Sequence, residues 1–163
     1  MSNLIVVRAP NDFPLTLSRT RPSLFMAGGI SNCPDWQELM IERCSHLDAI
    51  FINPRRYDFD VMDPKQSDIQ IEWEHCNLEI ADIVSFWFPE ETLCPITLFE
   101  LGKIAMSDKP MVVGVHPGYK RKFDVIKQLS IIRPEIEVID NLDGFFNEVQ
   151  SVILNWDVVD IND

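Results

Sequence analysis

Hydrophobic positions along the chain occur in two kinds of stretch: short runs that are apolar throughout, and longer runs that are apolar only at helical spacing. The first kind is typical of strands buried on both faces, whereas apolar residues three or four positions apart indicate an amphipathic helix. The pattern predicts strands at residues 4–8, 23–26, 49–53, 82–88, 111–115 and 136–139, and helices at residues 34–47, 65–81, 95–107, 120–132 and 142–157.

Strands and helices alternate over the whole length, which predicts an α/β fold with helices on both faces of a parallel sheet. We expect a flavodoxin-like or Rossmann-like three-layer sandwich with a sheet of about five strands. The chain has 163 residues and contains no repeat or low-complexity linker, so residues 1–163 are predicted to form a single domain. Residues 9–22 contain three prolines and no clear period, and we interpret them as a loop.

Two predicted helices carry apolar stripes that should face the sheet, because residues three or four positions apart lie on one side of a helix. Pro34 and Asp35 open the first of these helices, and a polar loop that ends at Pro64 precedes the second. The expected buried stripes are Trp36, Leu39, Met40 and Cys44 in the first helix, and Ile69, Trp73, Cys76 and Ile80 in the second.

The composition restricts the classes of partner. The net charge is −12, from 26 acidic and 14 basic residues, which argues against binding to nucleic acid or to an anionic membrane. No apolar run reaches the roughly 20 residues of a membrane span, and the first residues lack a signal-peptide pattern, so we expect a cytoplasmic protein. The four cysteines form no CxxC pair and have no histidine at ligand spacing, so we expect free thiols and no metal site.

The fold class restricts where a site can lie. In open parallel sheets, ligands bind beyond the carboxyl ends of the strands, where loops lead into the next helices. The segments at this edge are 27–36, 53–63, 88–100 and 116–119. Asp82 begins a strand and belongs at the opposite edge, where we expect a structural role in the turn from helix to strand.

Glycine and arginine residues at this edge allow two interpretations each. Gly28 and Gly29 follow a strand and serve either a tight turn or the close approach of backbone to a sugar or phosphate. They form neither a GxGxxG nor a Walker pattern, which argues against binding of dinucleotides and triphosphates. Asn53 precedes a proline and the pair Arg55 and Arg56, which either hold an anionic ligand or form ion pairs with acidic residues of their own loop.

Two glutamates are the strongest catalytic candidates. Glu100 lies early in a predicted helix among apolar neighbours, where the helix dipole favours an ionised carboxylate that is suited to act as a nucleophile; a glutamate favoured there by the dipole alone is the other interpretation. Glu74 lies in the first half of the preceding helix, one turn after Gln70.

Aromatic, thiol and imidazole side chains near this edge have alternative roles as well. Trp73 and Phe88 are predicted either to stack on a base or to fill the core, Cys94 to line the pocket, and His116 to act as a weaker acid or base candidate.

Several stretches together resemble the small flavodoxin-like members of the nucleoside 2-deoxyribosyltransferase family. They are LFMAGGI at residues 24–30 with Trp36, NPRR at 53–56, QIEWE at 70–74, ADIV at 81–84 and TLFELG at 97–102. Their order and spacing extend over roughly residues 23–103.

The resemblance implies roles for individual residues. Glu100 would be the nucleophile, Glu74 would contact the base and assist its protonation, and Thr97 would belong to the loop that contacts sugar or phosphate. The implied substrates are a deoxynucleoside or deoxynucleotide and a free base, with no cofactor and no metal, in a homo-oligomer. Alternatives are a deoxynucleoside 5′-monophosphate N-glycosidase and a non-catalytic nucleotide-binding domain. The expected substrate-binding residues are Gly28, Gly29, Ile30, Trp36, Asn53, Arg55, Arg56, Gln70, Trp73, Phe88 and Thr97.

Overall fold

A computed structural model describes residues 3–11, 20–60 and 62–156 of the chain. Strands and helices alternate throughout these residues, as the hydrophobic pattern predicts. The elements in chain order are β1 (Ile5–Arg8), β2 (Ser23–Gly28), α1 (Trp36–Arg43), β3 (Ile50–Asn53), α2 (Pro64–Ile80), β4 (Ile83–Phe88), α3 (Pro95–Ala105), β5 (Met111–Val115), α4 (Lys122–Ile132), β6 (Val138–Ile139) and α5 (Leu142–Leu154).

The strands form one parallel sheet in the order β1-β3-β2-β4-β5-β6. This confirms the α/β fold and corrects the expected number of strands from about five to six; the sixth, β6, is only two residues long. In the centre of the sheet, β2 pairs with β4 in a register that sets Gly28 opposite Trp87. The loop after β2 leads to α1 on one face, and the loop after β4 leads to α3 on the other. A crevice between such diverging loops is where open parallel sheets bind ligands.

Each face of the sheet has its own hydrophobic core, because most strand positions are apolar and the central strands are buried throughout. Helices α2, α3 and α4 pack on one face, where Phe25 and Ala27 point inward. Helices α1 and α5 cover the other face, together with Leu24 and Met26 of the same strand. The strand β2 is therefore buried on both sides, as its composition predicts.

The predicted buried stripes are partly wrong. In α1, Trp36, Met40 and Cys44 are buried, but Leu39 is 49% exposed. In α2, only Trp73 of the predicted stripe is buried, whereas Ile69 is 52% exposed, Ile80 is 41% exposed and Cys76 is exposed.

The buried face of α2 differs from the predicted stripe, because it carries two polar residues that donate hydrogen bonds within the protein. Gln70 donates to the backbone oxygen of Pro54 at 2.9 Å, and Asn77 donates to the backbone oxygen of Trp73 at 2.8 Å. These bonds satisfy the amide nitrogens, whereas the side-chain oxygens of both residues are buried with no donor among the described residues. With this face of α2 packed on the sheet, Glu74 lies at the sheet edge where the candidate site is.

Asp82 has the structural role that its position predicts. Its carboxylate accepts hydrogen bonds from the backbone nitrogen and the hydroxyl of Ser23, at 2.8 and 2.6 Å, and its own backbone nitrogen donates to the same hydroxyl oxygen at 3.0 Å. This contact joins the first residue of β2 to the turn before β4, at the edge opposite the candidate site.

Some predictions fall partly outside the described residues. Residues 9–11 and 20–22 are irregular, as predicted for the loop, whereas 12–19 are not described. The predicted final helix ends at Leu154 rather than near residue 157, and residues 157–163 and 1–2 also lie outside the described part. Among the helices that are described, none is both long and apolar enough to cross a membrane.

Candidate active site

A cavity of about 530 Å³ opens at the carboxyl end of β2. Its wall is built from the turn after β2, the loop after β3, the inward face of α2 and the beginning of α3. The predicted site residues that line it are Gly28, Gly29, Ile30, Arg56, Gln70, Glu74, Thr97 and Glu100.

The start of α3 places Glu100 at the cavity wall. Cys94 adopts a left-handed conformation, with φ 49° and ψ 54°, and Pro95 then occupies the first helical turn. One and a half turns later, Glu100 lies on the same helix face as Thr97 and lines the cavity with it. The Cys94 thiol also lines the cavity, as predicted, and burial raises its pKa to about 12, so it is protonated at neutral pH.

The carboxyl group of Glu100 is protonated at neutral pH in this structure. Burial is the main cause, and the nearby charge of Glu74 adds to it, so that the pKa of Glu100 is raised to about 8. Lys103 opposes this shift, but its ammonium group already forms an ion pair with Glu79. The expectation that the helix dipole keeps Glu100 ionised is therefore wrong for the ligand-free protein, because removal from water outweighs the dipole.

Glu74 is the second carboxyl group in the cavity wall. Burial raises the pKa of Glu74, and a hydrogen bond from Gln70 Nε2, 2.7 Å long, opposes the shift. Because two nearby buried carboxylates repel each other, such a pair retains one proton over a wide range of pH. The cavity thus holds two carboxyl groups whose pKa values are both raised, mainly by burial.

Both predicted roles of the Gly28–Gly29 turn, close packing and access of bare backbone to a ligand, agree with its geometry. A Cβ atom on Gly28 would lie 2.5 Å from the backbone oxygen of Trp87 and 2.6 Å from the Trp36 ring, and one on Gly29 would lie 2.5 Å from the Pro89 ring. Close packing therefore excludes side chains at both positions. The same turn lines the cavity, so it brings bare backbone to any ligand bound there.

The two arginines of the NPRR stretch have different environments. Arg55 lies outside the cavity lining and holds the α1 loop: it pairs with Asp35 at 3.2 Å and donates to Gln37 Oε1 at 3.0 Å. Arg56 lines the cavity, and the acid it pairs with, Asp58 at 3.4 Å, is 82% exposed. Arg55 thus has a structural role, although its partner belongs to the α1 loop and not to its own loop, whereas Arg56 forms the predicted ion pair within its own loop and also lines the cavity.

Asn53 also lies outside the cavity lining, and it is fully buried. Its side-chain oxygen accepts from the backbone nitrogen of Arg55 at 2.9 Å, and its backbone oxygen accepts from Ala9 at 3.0 Å. The geometry gives Asn53 a role in shaping the loop rather than in direct contact with a ligand.

The aromatic residues expected to contact substrate are core residues instead, which corrects those assignments. Trp36 is 1% exposed and donates to the backbone oxygen of Gly29 at 2.9 Å. The Trp73 indole donates to the backbone oxygen of Asn11 at 2.7 Å, and Phe88 is completely buried. Each points into one of the two cores, because it lies on an inward helix face or within a strand, and none of them lines the cavity.

Several lining residues are absent from the sequence prediction. Three phenylalanines line the cavity: Phe25 from β2, Phe59 from a loop and Phe99 from an outward helix face. His75 and Lys103 line the cavity from positions next to Glu74 and one turn after Glu100. The closeness of His75 and Lys103 to the two glutamates along their helices is the feature of the sequence that could have identified them. His116, by contrast, lies outside the lining, 3.6 Å from Glu90.

No group of three or more His, Cys, Asp or Glu residues within the described ranges is arranged to hold a metal ion. The polar groups of the cavity wall include the carboxyl pair, the bare glycine turn, Arg56, His75 and Lys103. Such a set suits acid, base or nucleophilic attack on a neutral organic substrate.

Comparison with known proteins gives the following matches. A family model described as "Nucleoside 2-deoxyribosyltransferase like" matches residues 21–119, a range that contains every residue of the cavity lining. A crystal structure of a conserved protein from Enterococcus faecalis V583 aligns with a TM-score of 0.59 and 13% sequence identity, over 81% of this chain and 99% of that one. At that identity the likeness shows the fold alone. No curated protein matches the chain significantly.

Proposed function

Because the chain belongs to the nucleoside 2-deoxyribosyltransferase-like family, we propose that it cleaves the N-glycosidic bond of 2′-deoxynucleosides and transfers the sugar to another base. One observation carries the proposal: Glu74 and Glu100 line the same cavity, and the charge of the first raises the pKa of the second. A carboxylate beside a carboxylic acid is the arrangement that glycosidic bond cleavage with retention requires.

In the first step, a Glu100 oxygen attacks C1′ of the deoxyribose while the bond from C1′ to the base nitrogen breaks. The electron pair of that bond moves onto the base, which takes a proton at a ring nitrogen. We assign this proton to Glu74, so the proton of the pair must be on Glu74, and Glu100 must be ionised, as the bond breaks. The positive charge that develops at C1′ favours the Glu100 anion at that moment.

In the second step, a ring nitrogen of an acceptor base attacks C1′ and displaces Glu100 as a carboxylate. The acceptor loses its proton to Glu74, which restores the original state of the pair. The Gly28–Gly29 turn and Thr97 are suited to contact the sugar, since both lie on the cavity wall near the first turn of α3. Each step uses only protein side chains, and we propose that no cofactor is required.

A panel of 2′-deoxynucleosides, with and without an acceptor base, tests the proposal. We expect release of free base to be accelerated by an added acceptor, with formation of the exchanged deoxynucleoside, as followed by liquid chromatography. Ribonucleosides serve as the matched substrate control and should react more slowly, because the 2′-hydroxyl disfavours positive charge at C1′. Binding of nucleosides or nucleotides without any turnover would instead support a non-catalytic binding domain.

A second candidate function is hydrolysis of deoxynucleoside 5′-monophosphates, with water as the acceptor. The observation that favours it is Arg56, which lines the cavity and whose guanidinium pairs with a solvated carboxylate that a phosphate could replace.

Replacement of Arg56 separates the two functions. If the substrate is a monophosphate, Arg56→Ala should raise KM by about 10- to 100-fold for monophosphates, through loss of a charged hydrogen bond, and leave KM for nucleosides nearly unchanged. Steady-state kinetics on matched pairs of substrates measures this. Arg121→Ala, which removes an exposed arginine paired with Asp124 on α4, is the control. Equal effects on both members of each pair would count against a phosphate site at Arg56.

A further inference from the structure

Gln70 is a buried amide in the cavity wall with half of its hydrogen-bonding capacity unused. The residue is 8% exposed and lines the cavity. Its nitrogen donates to the backbone oxygen of Pro54 at 2.9 Å and to Glu74 Oε1 at 2.7 Å. Its oxygen is buried, and no residue in the described part of the chain donates to it.

The orientation of this amide follows from its neighbours. Both partners of the nitrogen are acceptors, so the reverse orientation would set the amide oxygen against the backbone oxygen of Pro54. A buried acceptor without a donor is unfavourable, and the protein side of the amide is already occupied. The terminal torsion of glutamine is soft, so a ligand that donates to the oxygen can turn it toward the cavity, in exchange for one of the two hydrogen bonds of the nitrogen.

We propose that Gln70 determines base specificity by selecting bases that carry an exocyclic amino group next to an unprotonated ring nitrogen, as adenine and cytosine do. The inference rests on the proposed function, in which Glu74 protonates the leaving base. The Gln70 nitrogen donates to one oxygen of Glu74, so the amide and the Glu74 carboxyl group are neighbours in the cavity wall.

These two groups are complementary to one kind of base. The Gln70 oxygen accepts a hydrogen bond from the amino group, and the protonated Glu74 carboxyl group donates to the ring nitrogen beside it. Hypoxanthine and uracil present an oxygen in place of the amino group, which would face the amide oxygen as a second acceptor. A mismatch of this kind typically reduces binding by about 10- to 100-fold.

Two matched substrate pairs test the proposal. Deoxyadenosine against deoxyinosine, and deoxycytidine against deoxyuridine, differ in the amino or oxo group and in the proton that the oxo form carries on the adjacent ring nitrogen. We expect wild-type kcat/KM to favour the amino member of each pair by about 10- to 100-fold. Gln70→Met keeps the length of the side chain without its acceptor, and should lower that ratio by about 10-fold, while Glu74 continues to discriminate at the ring nitrogen. Gln128→Met, at an exposed position on α4, is the control and should leave the ratio unchanged.

The ratio of kcat/KM between the two members of a pair separates recognition of the base by Gln70 from positioning of Glu74 by Gln70. Loss of the bond from Gln70 to Glu74 slows both members of a pair alike, whereas loss of the acceptor changes the ratio. Calorimetric titration with free adenine, hypoxanthine, cytosine and uracil gives the same comparison without turnover. Absence of base release from every substrate would overturn the proposed function. Base release with a wild-type ratio near one, or with a ratio that Gln70→Met leaves intact, would overturn the role of Gln70 alone.

Discussion

Glu100→Gln is expected to reduce base release and base exchange by at least about 1,000-fold, because it removes the group proposed to attack C1′. The amide has nearly the same size and is not a useful nucleophile, so the cavity should keep its shape. Rapid quenching of wild-type protein with deoxynucleoside, followed by peptide mass spectrometry, should find a deoxyribosyl adduct on the peptide that contains Glu100. The adduct should be absent from Glu100→Gln.

The matched control is Glu72→Gln, which removes an exposed carboxylate of α2 that does not line the cavity. It should keep wild-type rates. A Glu100→Gln variant with more than about one tenth of wild-type activity would contradict the assignment, and so would an adduct on another residue.

Stability measurements show whether the Glu100→Gln variant is intact and test the burial of the carboxyl group independently. The pKa of Glu100 is raised to about 8 in the folded protein from an ordinary value of 4.5, so the folded state binds more protons between these values and loses stability as pH rises through them. Glutamine lacks this ionisation. Urea unfolding at pH 9 should find Glu100→Gln more stable than wild type by an amount of order 2 kcal/mol, with the difference largely absent at pH 4.

The sequence predicts the fold well because most strand positions of this protein are apolar, with few polar interruptions such as Ser85. Such runs leave little choice but a sheet covered on both faces, and β5 has the predicted limits of residues 111–115. The face of α2 was harder to predict, because Ile69 and Ile80 lie on its outer side while Gln70 and Asn77 turn inward. Helical spacing identifies residues that share a face, but it does not show that buried amides will find partners elsewhere in the chain.

The site was predictable to the extent that chemistry follows position along a strand or helix. Glu74, Glu100 and the glycine turn meet at one cavity because each lies at the carboxyl edge of the sheet. The aromatic assignments failed because position at that edge does not fix the direction of a ring, and Trp73 and Phe88 turn into the core. The raised pKa of Glu100 could not be predicted from the sequence alone. The dipole of α3 acts locally, whereas part of the opposing effect is the charge of Glu74, which comes from another helix.

Glu74→Gln is expected to cleave deoxynucleosides about 100- to 10,000-fold more slowly than the wild type, with a pH profile of a different shape. In the wild type, activity requires one proton on the carboxyl pair. The rate kcat/KM should therefore fall at low pH, where both groups are protonated, and again above a pKa of about 8, where Glu100 and Glu74 are both ionised and no proton remains for the base.

The variant should lose the alkaline limb, because glutamine at position 74 has no proton to donate at any pH. Its residual activity should rise with pH along a single curve that follows the ionisation of Glu100. The midpoint of that curve should lie below about 8, since the repulsion from the Glu74 carboxylate, one of the two causes of the raised pKa of Glu100, is removed. Measurement of kcat/KM between pH 4 and 10 distinguishes the two shapes.

A substrate whose base leaves without a proton separates proton donation from positioning. A 7-methylated purine deoxynucleoside already carries a positive charge on its base, so its cleavage needs the Glu100 nucleophile but no acid. Glu74→Gln should retain most of its activity on this substrate, whereas Glu100→Gln should remain inactive. An equal loss in Glu74→Gln on both substrates, or a persistent alkaline limb, would show that Glu74 only positions the base and that the proton comes from another group in the cavity.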